Sequence, residues 1–162
     1  MNYLNLESKK VEKVAKALNQ LLAEYHVYYQ KLRNFHWNIK GENFFTLHVK
    51  FEELYNDAQL KIDEIAERIL SLRKRPVSTF SEYLDLAEIK ERRGEIKDKQ
   101  MVREVLDAHS ILIKNFRNTL EAAEKAEDSG TEDMISGFLG DMEKNSWMLD
   151  AFISANIVEI KK

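Results

Sequence analysis

Long stretches in which apolar residues return every three or four positions alternate with short polar breaks, the pattern of amphipathic helices. The first stretch runs from about Ser8, a candidate N-cap, to near Asn38. Its apolar face carries Val11, Val14, Ala15, Leu18, Leu21, Leu22, Tyr25, Leu32 and Phe35. Gly41 marks a turn. The second stretch, Phe44 to Leu72, has no Gly or Pro inside it, and Arg75-Pro76 is expected to end it. A long link follows, with a short helix near Ser81 to Leu86 and a charged connection from Glu88 to Lys99 that contains Gly94. The third helix starts near Asp98 and carries Val102, Val105, Leu106, Leu112, Ile113, Phe116 and Leu120. Asp128-Ser129-Gly130 reads as a break. The fourth helix begins at Thr131 and carries Ile135, Phe138, Leu139, Met142, Leu149, Phe152, Ile153 and Ile157. Two helical hairpins joined by one long connection predict an all-α four-helix bundle, with a short extra helix in the middle link.

The 162 residues suit a single domain spanning 1–162 with a full core, and one Pro and five Gly leave few interruptions. With no Cys there is neither a disulfide framework nor a thiolate metal site. No stretch approaches the roughly 18 apolar residues of a membrane span. Met1–Glu7 lacks a basic segment followed by an apolar run, so a cytoplasmic protein is expected. The net charge of −3, from 25 basic and 28 acidic residues, is no footprint for nucleic acid.

One segment adds chemistry to this frame. His36, His48, Glu52, Asp63 and Glu67 gather two imidazoles and three carboxylates within 32 positions, the ligand types that bind iron and similar metals. At about 100° per residue, with His48 at zero, Glu52 falls near 40°, Asp63 near 60° and Glu67 near 100°. The apolar set Leu47, Phe51, Leu54, Tyr55, Ala58, Ile62, Ile65 and Ile69 lies at about 240° to 340°. The polar stripe therefore flanks the core. A lone histidine or an i,i+4 carboxylate pair is ordinarily a packed or solvated residue; the whole set on one stripe is what points to metal.

Distance then decides how such a site can close. His48 and Asp63 are separated by roughly 22 Å of helix, whereas donors must sit about 2 Å from one ion. Either there are two half-sites or a second copy completes one. An antiparallel pairing about a two-fold axis between Asp57 and Ala58 sets His48 opposite the partner subunit's Glu67 and Glu52 opposite the partner subunit's Asp63. A two-fold interface uses the same patch twice, so two identical sites form. His36, ending the preceding helix, returns through the Gly41 turn to join His48. Larger di-iron bundles instead use Glu-x-x-His inside one chain. The residues three before each His here are Ala23, Arg33, Phe45 and Leu106, so that motif is absent.

The string Phe35-His36-Trp37, Gly41, Phe44-Phe45-Thr46-Leu47-His48, followed by Asp63-x-x-x-Glu67, resembles the Dps family, the mini-ferritins. The resemblance covers nearly the whole chain. It implies a ferritin-like bundle and a ferroxidase that oxidises Fe(II), commonly with hydrogen peroxide. It also implies ferric mineral stored in a hollow homo-dodecamer, giving protection against oxidative damage. Carried over, His36 and His48 come from one subunit with Glu52 nearby, and Asp63 and Glu67 from the two-fold mate. The Glu52 position is often Asp in the family, and the longer side chain alters the reach of that ligand. Trp37 then reads as an oxidisable ring beside a ligand, and Trp147 as a packing aromatic. Glu124, Asp128, Glu132 and Asp133 read as helix capping plus a solvated turn, or, by the resemblance, as an acidic iron entrance. His26 and His109 have no partner set, and His109 is expected in the core or at its edge.

Some family members bind DNA through Lys-rich tails. Here Lys9, Lys10 and Lys13 stand against Glu7 and Glu12, and the C-terminus ends Glu159-Ile160-Lys161-Lys162, so DNA binding is expected to be weak or absent. The alternative to a ferroxidase is a structural or DNA-compacting nucleoid protein with an idle metal site.

Overall fold

A computed structural model describes residues 3–154. Its helices are α1 (Ser8–Asn38), α2 (Phe44–Ser71), α3 (Phe80–Leu86), α4 (Asp98–Ala126) and α5 (Ser129–Ser154), with no strand among the described residues. α1 packs against both α2 and α4, α4 pairs with α5, and α3 lies across α1. This is the expected four-helix bundle with its small extra helix.

The apolar stripes meet along one continuous core that runs from Val11 to Leu149. Tyr25, Tyr28, Phe35, Phe51 and Phe116 are its largest fully buried members. The connection from α3 to α4 is tied to this core by one carboxylate. Fully buried Glu24 accepts from the main-chain N–H of Glu88 at 2.7 Å and of Ile89 at 2.9 Å, and from Gln20 at 2.8 Å. A buried carboxylate needs such donors.

Helix ends are where the periodicity misplaced boundaries. Ser8 lies inside α1, and its N-cap is Glu7, without a side-chain bond to the first turn. α2 stops at Ser71, before Arg75-Pro76. Arg73 takes a left-handed conformation (φ 57°), its N–H bonds Leu70 O at 2.8 Å, and Lys74 N–H bonds Ile69 O at 3.0 Å. That is a Schellman end made without glycine. α3 opens on a capping box between Thr79 and Glu82, one residue earlier than expected. α5 begins at Ser129 rather than Thr131, because Glu127 turns left-handed (φ 57°) and Asp128 caps the new helix. Asp128 accepts from Thr131 N–H at 3.1 Å and from the Thr131 hydroxyl at 2.6 Å, and it pairs with Arg68 of α2. A Cβ at Gly130 would sit 3.0 Å from the Arg68 guanidinium, so the missing side chain is what admits this arginine to the turn. The expected position of Ile157 lies outside the described residues.

Candidate metal centre

The sharp turn at Gly41 (φ 99°) folds α2 back along α1 and sets His36, in the last turn of α1, beside His48, in the second turn of α2. The two imidazoles stack with ring centroids 3.8 Å apart and planes 20° from parallel. Nδ1 of His36 lies 2.7 Å from the main-chain oxygen of His48, and Nδ1 of His48 lies 2.9 Å from that of His36. A carbonyl only accepts, so each Nδ1 carries a proton, and in the neutral imidazole Nε2 is then the nitrogen with the lone pair. This is the outer-shell arrangement that fixes metal-binding histidines. The His36 carbonyl is one of the unpaired last-turn oxygens of α1, so the same bond also finishes the helix.

Aromatic rings hold the pair in place. Phe44 stacks on His48 at 4.9 Å, and Tyr55 meets His36 edge-on at 5.3 Å. His36 is buried at 8% exposure and His48 half-buried. The Tyr55 hydroxyl donates to Glu52 at 3.3 Å, which leans the carboxylate along the same face. Desolvation first and the Glu52 charge second raise the Tyr55 phenol above its usual value, so it stays a donor. The sequence pattern placed Tyr55 only in the apolar set. Its spacing of three from Glu52 was the available signal for this second role.

Glu52, Asp63 and Glu67 are all exposed on α2. The helix is unbroken, so Asp63 and Glu67 stay roughly 22–28 Å along the axis from His48, at about 1.5 Å per residue. Among the described residues of one chain, no three His, Cys, Asp or Glu side chains converge as a metal site. Exposed apolar residues share the acidic stripe: Phe45 at 82%, Leu60 at 65% and Leu70 at 57%. Trp37 is 57% exposed with the Arg33 guanidinium 4.7 Å over its ring.

This fold has known counterparts. The family model for the ferritin-like domain matches residues 15–156. A DNA protection during starvation protein of Porphyromonas gingivalis is 44% identical over 147 residues, 91% of this chain and 92% of that protein. General stress protein 20U of Bacillus subtilis is 40% identical over 142 residues, 88% of this chain and 98% of that protein. The crystal structure of a Dps protein from Vibrio cholerae O1 superposes with a TM-score of 0.91 at 46% identity, covering 94% of this chain and 96% of that one. The chain belongs to the Dps family. The Vibrio cholerae protein is described as a member of a broad superfamily of ferritin-like diiron-carboxylate proteins.

Other expected residues of this Dps chain fall as follows. Trp147, expected to pack, is 68% exposed and therefore packs little within its own chain. Asp128 is buried and bonded to Arg68 and Thr131, where it caps α5. Glu124 and Asp133 are exposed and Glu132 half-buried. His109 is in the core, as expected, but it has two partners that the sequence did not reveal: Tyr28 from α1 and Ser146 from α5. His26 stacks on Tyr83 at 3.8 Å and helps seat α3. No helix among the described residues is long and apolar enough to cross a membrane.

Proposed function

We propose that this protein is a ferroxidase mini-ferritin that oxidises Fe(II) with hydrogen peroxide between subunits and stores the ferric product inside a hollow dodecamer. The observation that carries this reading is the reciprocal pair of Nδ1–H bonds between His36 and His48, which commits each Nδ1 to a carbonyl and leaves Nε2 of both imidazoles as the nitrogens to bind metal. Mixed imidazole and carboxylate donors suit Fe(II). His36 and His48, with Glu52 beside them, take the metal from one side, and Asp63 and Glu67 of the partner subunit close it from the other. The hard carboxylates favour Fe(III) over Fe(II) and so help drive the oxidation. Peroxide takes one electron from each of two Fe(II) ions and two protons, leaving two Fe(III) and two waters. Paired delivery of electrons avoids hydroxyl radical, which a lone Fe(II) would form.

The stripe on α2 supports the two-fold pairing. A two-fold axis between Asp57 and Ala58 brings exposed Phe45 onto the partner subunit's Leu70 and exposed Leu60 onto the partner subunit's Tyr55. The same register brings the acidic residues to the imidazoles. Apolar side chains this exposed on a monomer mark a contact surface. Trp37, beside a ligand, is the ring placed to intercept stray one-electron oxidants. Binding to DNA is weak or absent in this reading: Lys10 pairs with Glu7 at 3.3 Å, and Glu12 pairs with Lys74. The protein acts in the cytoplasm, where Fe(II) and peroxide meet.

The test is absorbance of ferric product after Fe(II) and peroxide are mixed with the assembled protein, beside light scattering for size. His36→Ala with His48→Ala slows oxidation with the assembly intact. Wild-type kinetics in that double variant reject the site. A gel shift retaining DNA at moderate salt favours the nucleoid reading instead.

A further inference from the structure

A line of polar groups, buried at Tyr28 and His109 and half-buried at Ser146, crosses the bundle away from the histidine pair. Tyr28 of α1 is 2% exposed, and its hydroxyl lies 2.7 Å from Nε2 of His109 on α4. Nδ1 of His109 lies 2.8 Å from the hydroxyl of Ser146 on α5, and that hydroxyl donates to Met142 O at 2.7 Å. The last bond sets the direction of the others. Ser146 has one proton and spends it on Met142, so its oxygen accepts from His109, and the His109 proton is on Nδ1. Nε2 is then bare and accepts from the Tyr28 phenol.

His109 is 1% exposed, and desolvation, aided by the Lys50 and Lys61 charges, lowers its pKa to about 3. It is therefore a neutral base at physiological pH. Burial raises the Tyr28 phenol well above its ordinary value, so it keeps its proton. A phenol gives up an electron readily when its proton has an acceptor in place. The radical cation formed otherwise is a far stronger acid than imidazolium, so even a weakened imidazole takes that proton.

Aromatic rings lead from the neighbourhood of Tyr28 to the His36–His48 pair. Tyr28 is separated from His36 by eight residues of α1, about 12 Å of helix rise. Tyr55 meets His36 at 5.3 Å, and Tyr29, the sequence neighbour of Tyr28, meets Tyr55 edge-on at 6.0 Å.

We propose that Tyr28 and His109 form a redox-active pair that absorbs one-electron oxidants inside the bundle. Tyr28 gives an electron to hydroxyl radical formed from peroxide and gives its phenolic proton to His109 Nε2. The products are hydroxide, a neutral tyrosyl radical and an imidazolium bonded to it. One further Fe(II) returns the electron and His109 returns the proton, so that Fe(II) and hydroxyl radical become Fe(III) and hydroxide. The source of the oxidant rests on the ferroxidase reading; the chemistry of the pair does not.

The test has two arms, both on the assembled full-length protein. In the first, iron-free protein is oxidised by photogenerated tris(bipyridyl)ruthenium(III), frozen and read by high-field electron paramagnetic resonance. The expected signal includes a tyrosyl component whose g-values carry the shift of a strong hydrogen bond. Tyr28→Phe removes that component while signals from exposed tyrosines such as Tyr3 remain. His109→Gln keeps an acceptor for Tyr28, its amide oxygen at the Nε2 position, but cannot take a proton, so it also removes the component with the assembly retained. Persistence of the component in either variant overturns the proposal. In the second arm, Fe(II) and peroxide are added with a spin trap. Tyr28→Phe releases several-fold more trapped hydroxyl radical than wild type, and an equal yield overturns the pair's protective role. Wild-type protein that oxidises no Fe(II) defeats the ferroxidase reading alone, since the iron-free arm still decides the pair.

Discussion

His36 and His48 each hold the other's main-chain carbonyl while their rings stack at 3.8 Å, so neither ring is free to turn. His48→Ala removes one ligand but leaves the carbonyl that orients His36. Outer-shell partners alone tune metal affinity by about 10- to 100-fold, so loss of a ligand is expected to weaken binding by at least about tenfold. The stability lost covers the hydrogen bond, about 1 kcal/mol, together with the stacking of the ring on His36 and Phe44. Calorimetric titration with Co(II), beside thermal unfolding, checks both numbers. A large fall in melting temperature with unchanged Co(II) affinity would make the pair a structural clasp.

The proposed register is open to a direct chemical test, because the chain has no cysteine. A two-fold axis between Asp57 and Ala58 sets Asn56 opposite the partner subunit's Gln59, and both side chains are exposed in the single chain. Asn56→Cys with Gln59→Cys is expected to give a covalent dimer on mild oxidation, read on a non-reducing gel, while each single variant stays monomeric on that gel. Equal cross-linking by Asn56→Cys alone would move the axis.

Arg68 and Asp128 join α2 to the start of α5, and the carboxylate is also the helix cap. Removing the cap is worth about 1 kcal/mol. Leaving a buried arginine unpaired is worth about 3–5 kcal/mol, reduced here because the Arg68 side chain is 21% exposed and reaches water. Asp128→Ala is thus expected to destabilise by about 2–4 kcal/mol. Asp128→Asn retains the cap and loses only the charge, so its melting temperature should fall between wild type and Asp128→Ala. Equal losses in the two would assign the whole effect to the ion pair.

The same residue shows where sequence reading stops. Burial follows a 3.6-residue period, so the 31-residue α1 and its buried face could be read directly, Val11 through Phe35. The stripe of His48, Glu52, Asp63 and Glu67 was legible for the same reason. The start of α5 was not, because Asp128 is organised by an arginine 60 residues away, and periodicity carries no such contact. His109 could be placed in the core by its stripe. Its role could not be read, since its partners come from two other helices and the proton on Nδ1 is set by a third bond, Ser146 to Met142. Trp147 misled because an aromatic at helical spacing is ordinarily core, and here it faces out.

His109 also makes stability depend on pH. Its folded pKa, about 3, lies below the ordinary 6.5 because the buried ring is desolvated. Between those values the unfolded chain binds a proton that the folded chain refuses, so stability falls as pH falls from 6.5 toward 3. The slope from this one group reaches about 1.4 kcal/mol per pH unit, and it vanishes above pH 7 where both states are neutral. His26, desolvated against Tyr83, shifts in the same direction and adds to the slope in part. Carboxylates such as Glu82 and Asp98, whose pKa values are lowered by hydrogen bonds, add their losses only nearer their own ordinary range. The window from pH 6.5 to 5 therefore belongs to His109 and, in part, His26. His109→Gln, which removes the titrating group and keeps an acceptor for Tyr28, is expected to flatten most of the dependence there. Melting temperatures of wild type and variant across pH 5 to 8 measure it, and parallel curves would mean that His109 is protonated in the folded protein.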